Sequence, residues 1–292
     1  MIFRRFFFPL LLALLFVAPA AADTIARPSL WHVQGSQGDI FLLGSVHILP
    51  PDVKWRTPDI TAALARADVF VFEVPQDEKS LTQMQALMAA KGYLPPDQDL
   101  RSLLHPEARA DFDAALGASG LPASAVARSR PWLAGLQMMF AQIARKNFAL
   151  ENGVDNQLMA EADKAKKPVR FLETIEQQFA LLAPEDRALE LEEFEASLKD
   201  LRDIAAEVQP MVDAWSAGDQ KTLDALINGD LDRYPAARKA LLDDRNKAWL
   251  PKLRAMLQEK GTFFVTVGAG HLTGSSGLPA LLRRAGHAVD GP

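Results

Sequence analysis

The chain has 292 residues, 32 Lys and Arg against 37 Asp and Glu for a net charge of −5, and no cysteine. An acidic chain without a basic stripe is a poor partner for nucleic acid or anionic membrane surfaces. The missing thiols exclude disulfide frameworks, lipid-modified cysteine, thiolate metal sites and cysteine nucleophiles.

The first residues read as an export signal. Arg4 and Arg5 precede the apolar run Phe6 to Ala18, and Ala20-Ala21-Ala22 offers a small-residue cleavage site before Asp23. The run contains Pro9 and is shorter than the roughly 20 residues a membrane span needs. Residues 1–22 are therefore expected to be removed, leaving a periplasmic or secreted chain with no transmembrane span. An uncleaved anchor is the alternative, and the secretory and twin-arginine routes both suit this start. Without Arg4 and Arg5 the balance is 30 basic against 37 acidic residues. Residues 23–292 are long enough for a single α/β domain with helical insertions at about 77–152 and 184–250.

In chain order, Ser29 to Gln34, Gly35-Ser-Gln-Gly38 and Asp39 to Leu43 read as a β-hairpin whose second arm runs into Gly44-Ser-Val-His47. Pro50-Pro51 delays the next helix to Pro58–Arg66, and Asp68 to Pro75 follows as a strand carrying Glu73 near its end. Helices are expected at Ser80–Lys91, Pro106–Leu116 and Pro131–Lys146. In the last, Trp132, Leu136, Met139, Phe140 and Ile143 recur at helical spacing and read as core. His105, before Pro106, reads as a capping or exposed residue.

Gly153-Val-Asp155 opens a helix to about Lys167, and Pro168 to Leu172 is a short strand ending at Glu173. Thr174 and Gln177 fit a capping box for a helix to Leu182. Pro184 to Gln209 is an acidic helix with Leu189, Phe194, Leu198 and Leu201 as its apolar residues. Short helices at Pro210–Ala217 and Gln220–Ile227, a loop at Asp230–Pro235 and a helix through Trp249 to Glu259 complete the second insertion. Arg245 and Asn246 beside Asp243 and Asp244 are either an ion-paired helix face or donors for an anionic substrate group.

Thr262 to Val267 is an aromatic and β-branched run and reads as a buried central strand. Gly268 and Gly270 then free the chain to turn, and the first polar side chain is His271. Two Gly-x-x-His turns, each after an apolar strand, place His47 and His271 where open α/β sheets bind ligands. Glu73 is expected close to His47, because only one helix separates their strands. Leu272–Gly277 is a loop, Leu278–Ala285 a closing helix, and His287 and His32 are structural or exposed. No Gly-x-Ser-x-Gly elbow occurs, although Ser45 lies between Gly44 and His47.

These motifs together resemble the TraB/PrgY/GumN family, whose animal relatives include TIKI-type metal-dependent peptidases. The resemblance runs from about Leu30 to Val289. It rests on Leu43-Gly44-Ser-Val-His47, Phe72-Glu73-Val-Pro75, Gly153-Val-Asp155, Leu172-Glu173-Thr174, Asp244-Arg245-Asn246 and Val267-Gly-Ala-Gly-His-Leu-Thr-Gly274. It implies a central mixed sheet with an N-terminal hairpin, as in erythromycin esterase-like and ChaN-like proteins, and an active site of His47, Glu73 and His271.

Two imidazoles and a carboxylate suffice to hold a divalent ion, Mn, Co or Zn, with a position left for water. On that reading the chain is an exported metal-dependent hydrolase of peptides or another small extracytoplasmic substrate. Glu73 is then ligand or base, Arg245 and Asn246 contact substrate, and Asp155 and Glu173 orient the histidines. The alternative is a non-catalytic binding protein for a peptide, haem or saccharide.

Overall fold

A computed structural model describes residues 25–231 and 235–292, so the expected export signal at 1–22 lies outside the described residues. The hairpin forms as expected: β1 (Leu30–Gln34) and β2 (Gly38–Ser45) pair antiparallel from Gln34↔Asp39 to Leu30↔Leu43. With β3 (Val69–Phe72), β4 (Val169–Phe171), β5 (Gly261–Gly268) and β6 (Val289–Asp290) they make one mixed sheet in the order β4-β3-β5-β2-β1-β6. β2, β5, β3 and β4 run parallel. The fold class is therefore the expected mixed α/β.

β3 is not the neighbour of β2, because β5 enters between them, pairing with β2 from Gly38↔Gly261 to Ser45↔Gly268 and with β3 from Val69↔Phe263 to Val71↔Val265. The next-to-last strand in the chain lies in the middle of the sheet, since its run Phe263 to Val267 is buried on both faces and belongs where both are covered. His271 is thereby carried between the ends of the other two strands.

Alternation along the strands splits the core in two. Phe41, Leu43, Phe70, Phe72 and Phe264 pack on one face with Trp55, Leu158 and Trp215. Ile40, Leu42, Val71, Phe263 and Val265 pack on the other with Trp249, Leu253 and Leu282. Each such side chain contributes about 1.5–3 kcal/mol on burial. A third cluster, including Leu100, Phe112, Met138, Phe194 and Leu198, holds the helical segments together away from the sheet.

Three helical expectations need correction. In the helix Pro131–Ala144 the buried residues include Leu133, Ala134, Met138 and Ile143, while Phe140 is 41% exposed. The segment is apolar nearly all round, so periodicity does not single out a face, and Ala134 and Met138 pack in the cluster that holds Phe194 and Leu198. The expected break at Pro210 is absent: one helix runs from Arg187 to Ala217. Proline removes a backbone donor at a cost of about 3 kcal/mol. Packing on both sides offsets this, with Leu198 and Leu201 in the helical cluster and Val212 and Trp215 in the sheet core. The helix expected at Pro106–Leu116 is Arg109–Ser119, closed by Gly120 at φ 72°.

Smaller shifts occur at ends, as is usual for helix termini. The helix from Gln220 continues to Leu231, so Asp230 and Leu231 are helical, while residues 232–234 of the expected loop lie outside the described residues. A π-helical turn, Lys239–Asp243, leads into the helix Asp244–Met256. Among the described residues no helix is long and apolar enough to cross a membrane.

Candidate functional site at the strand ends

The carboxyl ends of the parallel strands bring four expected residues to one rim. His47 follows β2, Glu73 follows β3, Glu173 follows β4 and His271 follows β5 through the single turn Ala269–His271. Gly268 lies among them. A Cβ placed on it would stand 3.4 Å from Glu73 Oε1, 3.6 Å from His47 Nε2 and 3.7 Å from His271 Cδ2. The three residues from three strands therefore converge on a gap the size of one methyl group.

His47 is oriented from below. Its Nδ1 lies 3.0 Å from Asp155 Oδ1, and an ionised carboxylate only accepts, so Nδ1 carries hydrogen and Nε2 faces the rim. Asp155 reaches it because the helix Val154–Lys164 starts against the turn, with the Val154 N–H donating to the Val46 carbonyl at 3.1 Å. A side chain on Gly153 would overlap the His47 carbonyl, so this approach requires glycine. The His47 side chain is 57% exposed. Partial desolvation disfavours its charged form. The hydrogen bond and charge of Asp155, with the charge of Glu73, outweigh that and raise the pKa to about 9.

His271 is oriented by an amide instead. Asn246 Nδ2 donates to the carbonyls of His271 at 3.3 Å and Ser276 at 3.0 Å, so its Oδ1 is the atom 2.7 Å from His271 Nδ1. Nδ1 is therefore a donor, and Nε2 accepts from Arg245 Nη1 at 3.0 Å. The ring packs on Trp249 with centroids 4.4 Å apart and is 4% exposed. Burial and the Arg245 charge push its pKa down to about 3 against the opposing pull of Glu73.

Arg245 ties the rim together. Nε and Nη2 donate to the two oxygens of Glu173 at 2.8 and 3.0 Å, Nη2 also reaches Glu73 Oε2 at 2.5 Å, and Nη1 also donates to the Leu241 carbonyl at 3.1 Å. Its guanidinium lies 4.7 Å from the Trp249 ring centroid. Glu73 Oε1 accepts the Gly268 N–H at 2.6 Å. Desolvation opposes ionisation of Glu73, yet the charges of Arg245 and His47 and that N–H hold its carboxyl below the usual range.

Each expected site residue thus belongs to one constellation. Asp155 bonds His47, Glu173 grips Arg245 rather than a histidine, and Arg245 and Asn246 direct their donors inward. Sequence reasoning missed Trp249, whose Nε1–H donates to Glu173 Oε1 at 3.0 Å while its ring supports both His271 and Arg245. Its signal was helical spacing, four residues from Arg245 and three from Asn246. It also missed Gly268 as the floor of the gap.

The donor chemistry fits a divalent ion. Both imidazoles have Nδ1 tied to an oxygen, the arrangement that turns Nε2 outward as a ligand, and a charged carboxylate stands beside them. His271 Nε2 and Glu73 Oε1 are 3.9 Å apart. As they stand, no three His, Asp or Glu side chains among the described residues form a ready cluster for an ion. Arg245 already occupies the His271 lone pair.

The sequence profile of the TraB/PrgY/gumN family matches residues 29–290. Two curated relatives, each named Uncharacterized protein YbaP, come from Escherichia coli (strain K12) and Shigella flexneri. Each is 27% identical over 245 residues, covering 83% of this chain and 87% of the relative. No solved structure matches the chain significantly.

Proposed function

The chain belongs to the TraB/PrgY/gumN family, and on that premise we propose that it is an exported, metal-dependent hydrolase of peptide-like substrates, with His47, Glu73 and His271 as the residues that hold the ion. The observation that carries this reading is the convergence of His47 Nε2, Glu73 Oε1 and the His271 ring on the gap above Gly268. When bound, a divalent ion supplies an acidified water and an electrophile for the scissile carbonyl. The remaining work is done by the chain. Asp155 and Asn246 each hold an Nδ1, so Nε2 is the nitrogen left for an ion on both rings, once His47 loses its second proton and Arg245 releases His271.

Of the two roles open to Glu73, ligand is the better supported. Both of its oxygens already accept hydrogen bonds, and a carboxyl held below its usual range is a weak base at neutral pH. Glu173 keeps Arg245 anchored at the edge of the rim. Beyond Glu173 lies a concavity of about 500 Å³ lined by Pro75, Phe171, Thr174 and Lys252, with room for a substrate side chain. That concavity also favours the second reading, a binding protein for a peptide or saccharide without turnover.

The test is cleavage of a mixed peptide library, read by mass spectrometry, with the purified protein and added Mn²⁺, Co²⁺ or Zn²⁺. Metal-dependent cleavage that His47→Ala, Glu73→Ala and His271→Ala each abolish is the expected result. Peptide retention without cleavage under all three metals would decide for the binding protein.

A further inference from the structure

Arg245 is an unusual neighbour for residues that hold a cation. Its guanidinium donates to His271 Nε2 at 3.0 Å and to Glu73 Oε2 at 2.5 Å, two of the groups read here as ligands. It is only 13% exposed and is braced by Trp249, Leu241 and the fork of Glu173. A guanidinium and a divalent ion cannot share the same lone pair, and two adjacent cations repel.

We propose that Arg245 is an internal counter-cation that holds the site in the ion-free protein and that an incoming divalent ion displaces toward Glu173. The proposal rests on the metal reading above and adds its regulation: metal affinity is set by competition with this side chain. The geometry supplies the path. Arg245 gives up its bonds to His271 and Glu73 and turns Nη2, which it shares between Glu73 and Glu173, wholly onto Glu173, while Nε stays on Glu173, Nη1 on the Leu241 carbonyl and the guanidinium over Trp249. Without the ion, the same residue keeps Glu73 and Glu173 from facing each other as two buried carboxylates with no cation between them. The device therefore stabilises the ion-free fold at the expense of affinity.

The experiment is calorimetric titration of Co²⁺ into the whole protein, with visible absorption of the bound ion as a second readout. Arg245→Met keeps the stem and removes the charge. It should bind Co²⁺ at least about tenfold more tightly, the size of one charge-assisted hydrogen bond lost from the competing state. Its melting temperature without metal should fall and recover on adding Co²⁺, with a smaller rise in wild type.

Glu173→Gln keeps Arg245 but weakens its receiver, so Co²⁺ should bind several-fold more weakly, and this variant decides the matter if Arg245→Met does not fold. Equal or weaker binding by a folded Arg245→Met, or unchanged binding by Glu173→Gln, overturns the proposal, as does no binding by any form. Tighter binding by Arg245→Met without peptide cleavage would retain the competition and reject the hydrolase. Cleavage by a wild type whose affinity neither variant alters would do the reverse.

Discussion

The two Gly-x-x-His turns leave neighbouring parallel strands, with Gly44 paired to Val267 and Ser45 to Gly268, and yet produce opposite histidines. His47 is more than half exposed, held by the carboxylate of Asp155, and its pKa is raised to about 9. His271 is buried, held by the neutral amide of Asn246, faced by Arg245 and lowered to about 3. The motif fixes where a ring stands. Its charge is set by the helix that meets it, Val154–Lys164 in one case and Asp244–Met256 in the other. At neutral pH and without a metal, one imidazole is charged and the other is not.

The largest consequence is on the acid side. A histidine whose folded pKa lies below its unfolded value of about 6.5 stabilises the fold fully above that value and loses the contribution as pH falls toward the folded value. For His271 that window runs from about 6.5 down to about 3. Burial makes the term one of several kcal/mol. Replacing the ring by an uncharged side chain of similar reach, His271→Gln, should flatten the acid limb: between pH 7 and 4 wild type should lose about 3 kcal/mol more than the variant in urea unfolding. Parallel slopes for the two proteins would show that His271 titrates normally and that the two turns do not differ as described.

How much of this was legible in the sequence depends on how far apart the contacts lie. Glu73, His47 and His271 were legible because each follows an apolar strand, and strand ends in an α/β sheet share an edge. Their order along that edge was not, since adjacency in sequence favoured β3 beside β2, and only the two-sided apolarity of Phe263 to Val267 argued for placing β5 between them. The capping box at Thr174 and Gln177 was legible because it is local and complete within four residues. Pro210 misled because its local cost is real and the packing that offsets it comes from Trp215 and Leu198, in two different cores. The inward turn of Arg245 was invisible for a related reason. Its partners Glu73 and Glu173 lie 172 and 72 residues away, and nothing local distinguishes a guanidinium aimed at substrate from one aimed at buried carboxylates.

A smaller effect should appear on the basic side, with the opposite sign. His47 has a folded pKa above its unfolded value, so its contribution is complete below about 6.5 and disappears as pH rises through about 9. More than half the ring is exposed, and solvent screening reduces the term to about 1 kcal/mol. Asp155→Asn removes the charge that raises it. The variant should show no loss of stability between pH 6.5 and 9 from this source, and the His47 ring signals in a two-dimensional NMR titration should move at a pH well below that of wild type. An unchanged titration midpoint would mean that Glu73, not Asp155, sets the charge of this ring.

The smallest expected effect on stability falls where the two turns meet. Gly268 has φ −50° and ψ 137°, a conformation any residue adopts, and a Cβ there meets its neighbours at ordinary contact distances of 3.4 to 3.7 Å. Gly268→Ala should therefore change the free energy of unfolding by no more than about 0.5 kcal/mol. The added methyl nevertheless fills the one space that His47 Nε2, Glu73 Oε1 and the His271 ring share. A folded variant that no longer binds Co²⁺ would locate the ion in that gap and tie both histidines to it. Undiminished binding would place the ion elsewhere and leave His47 and His271 as two separate residues that happen to follow the same four-letter motif.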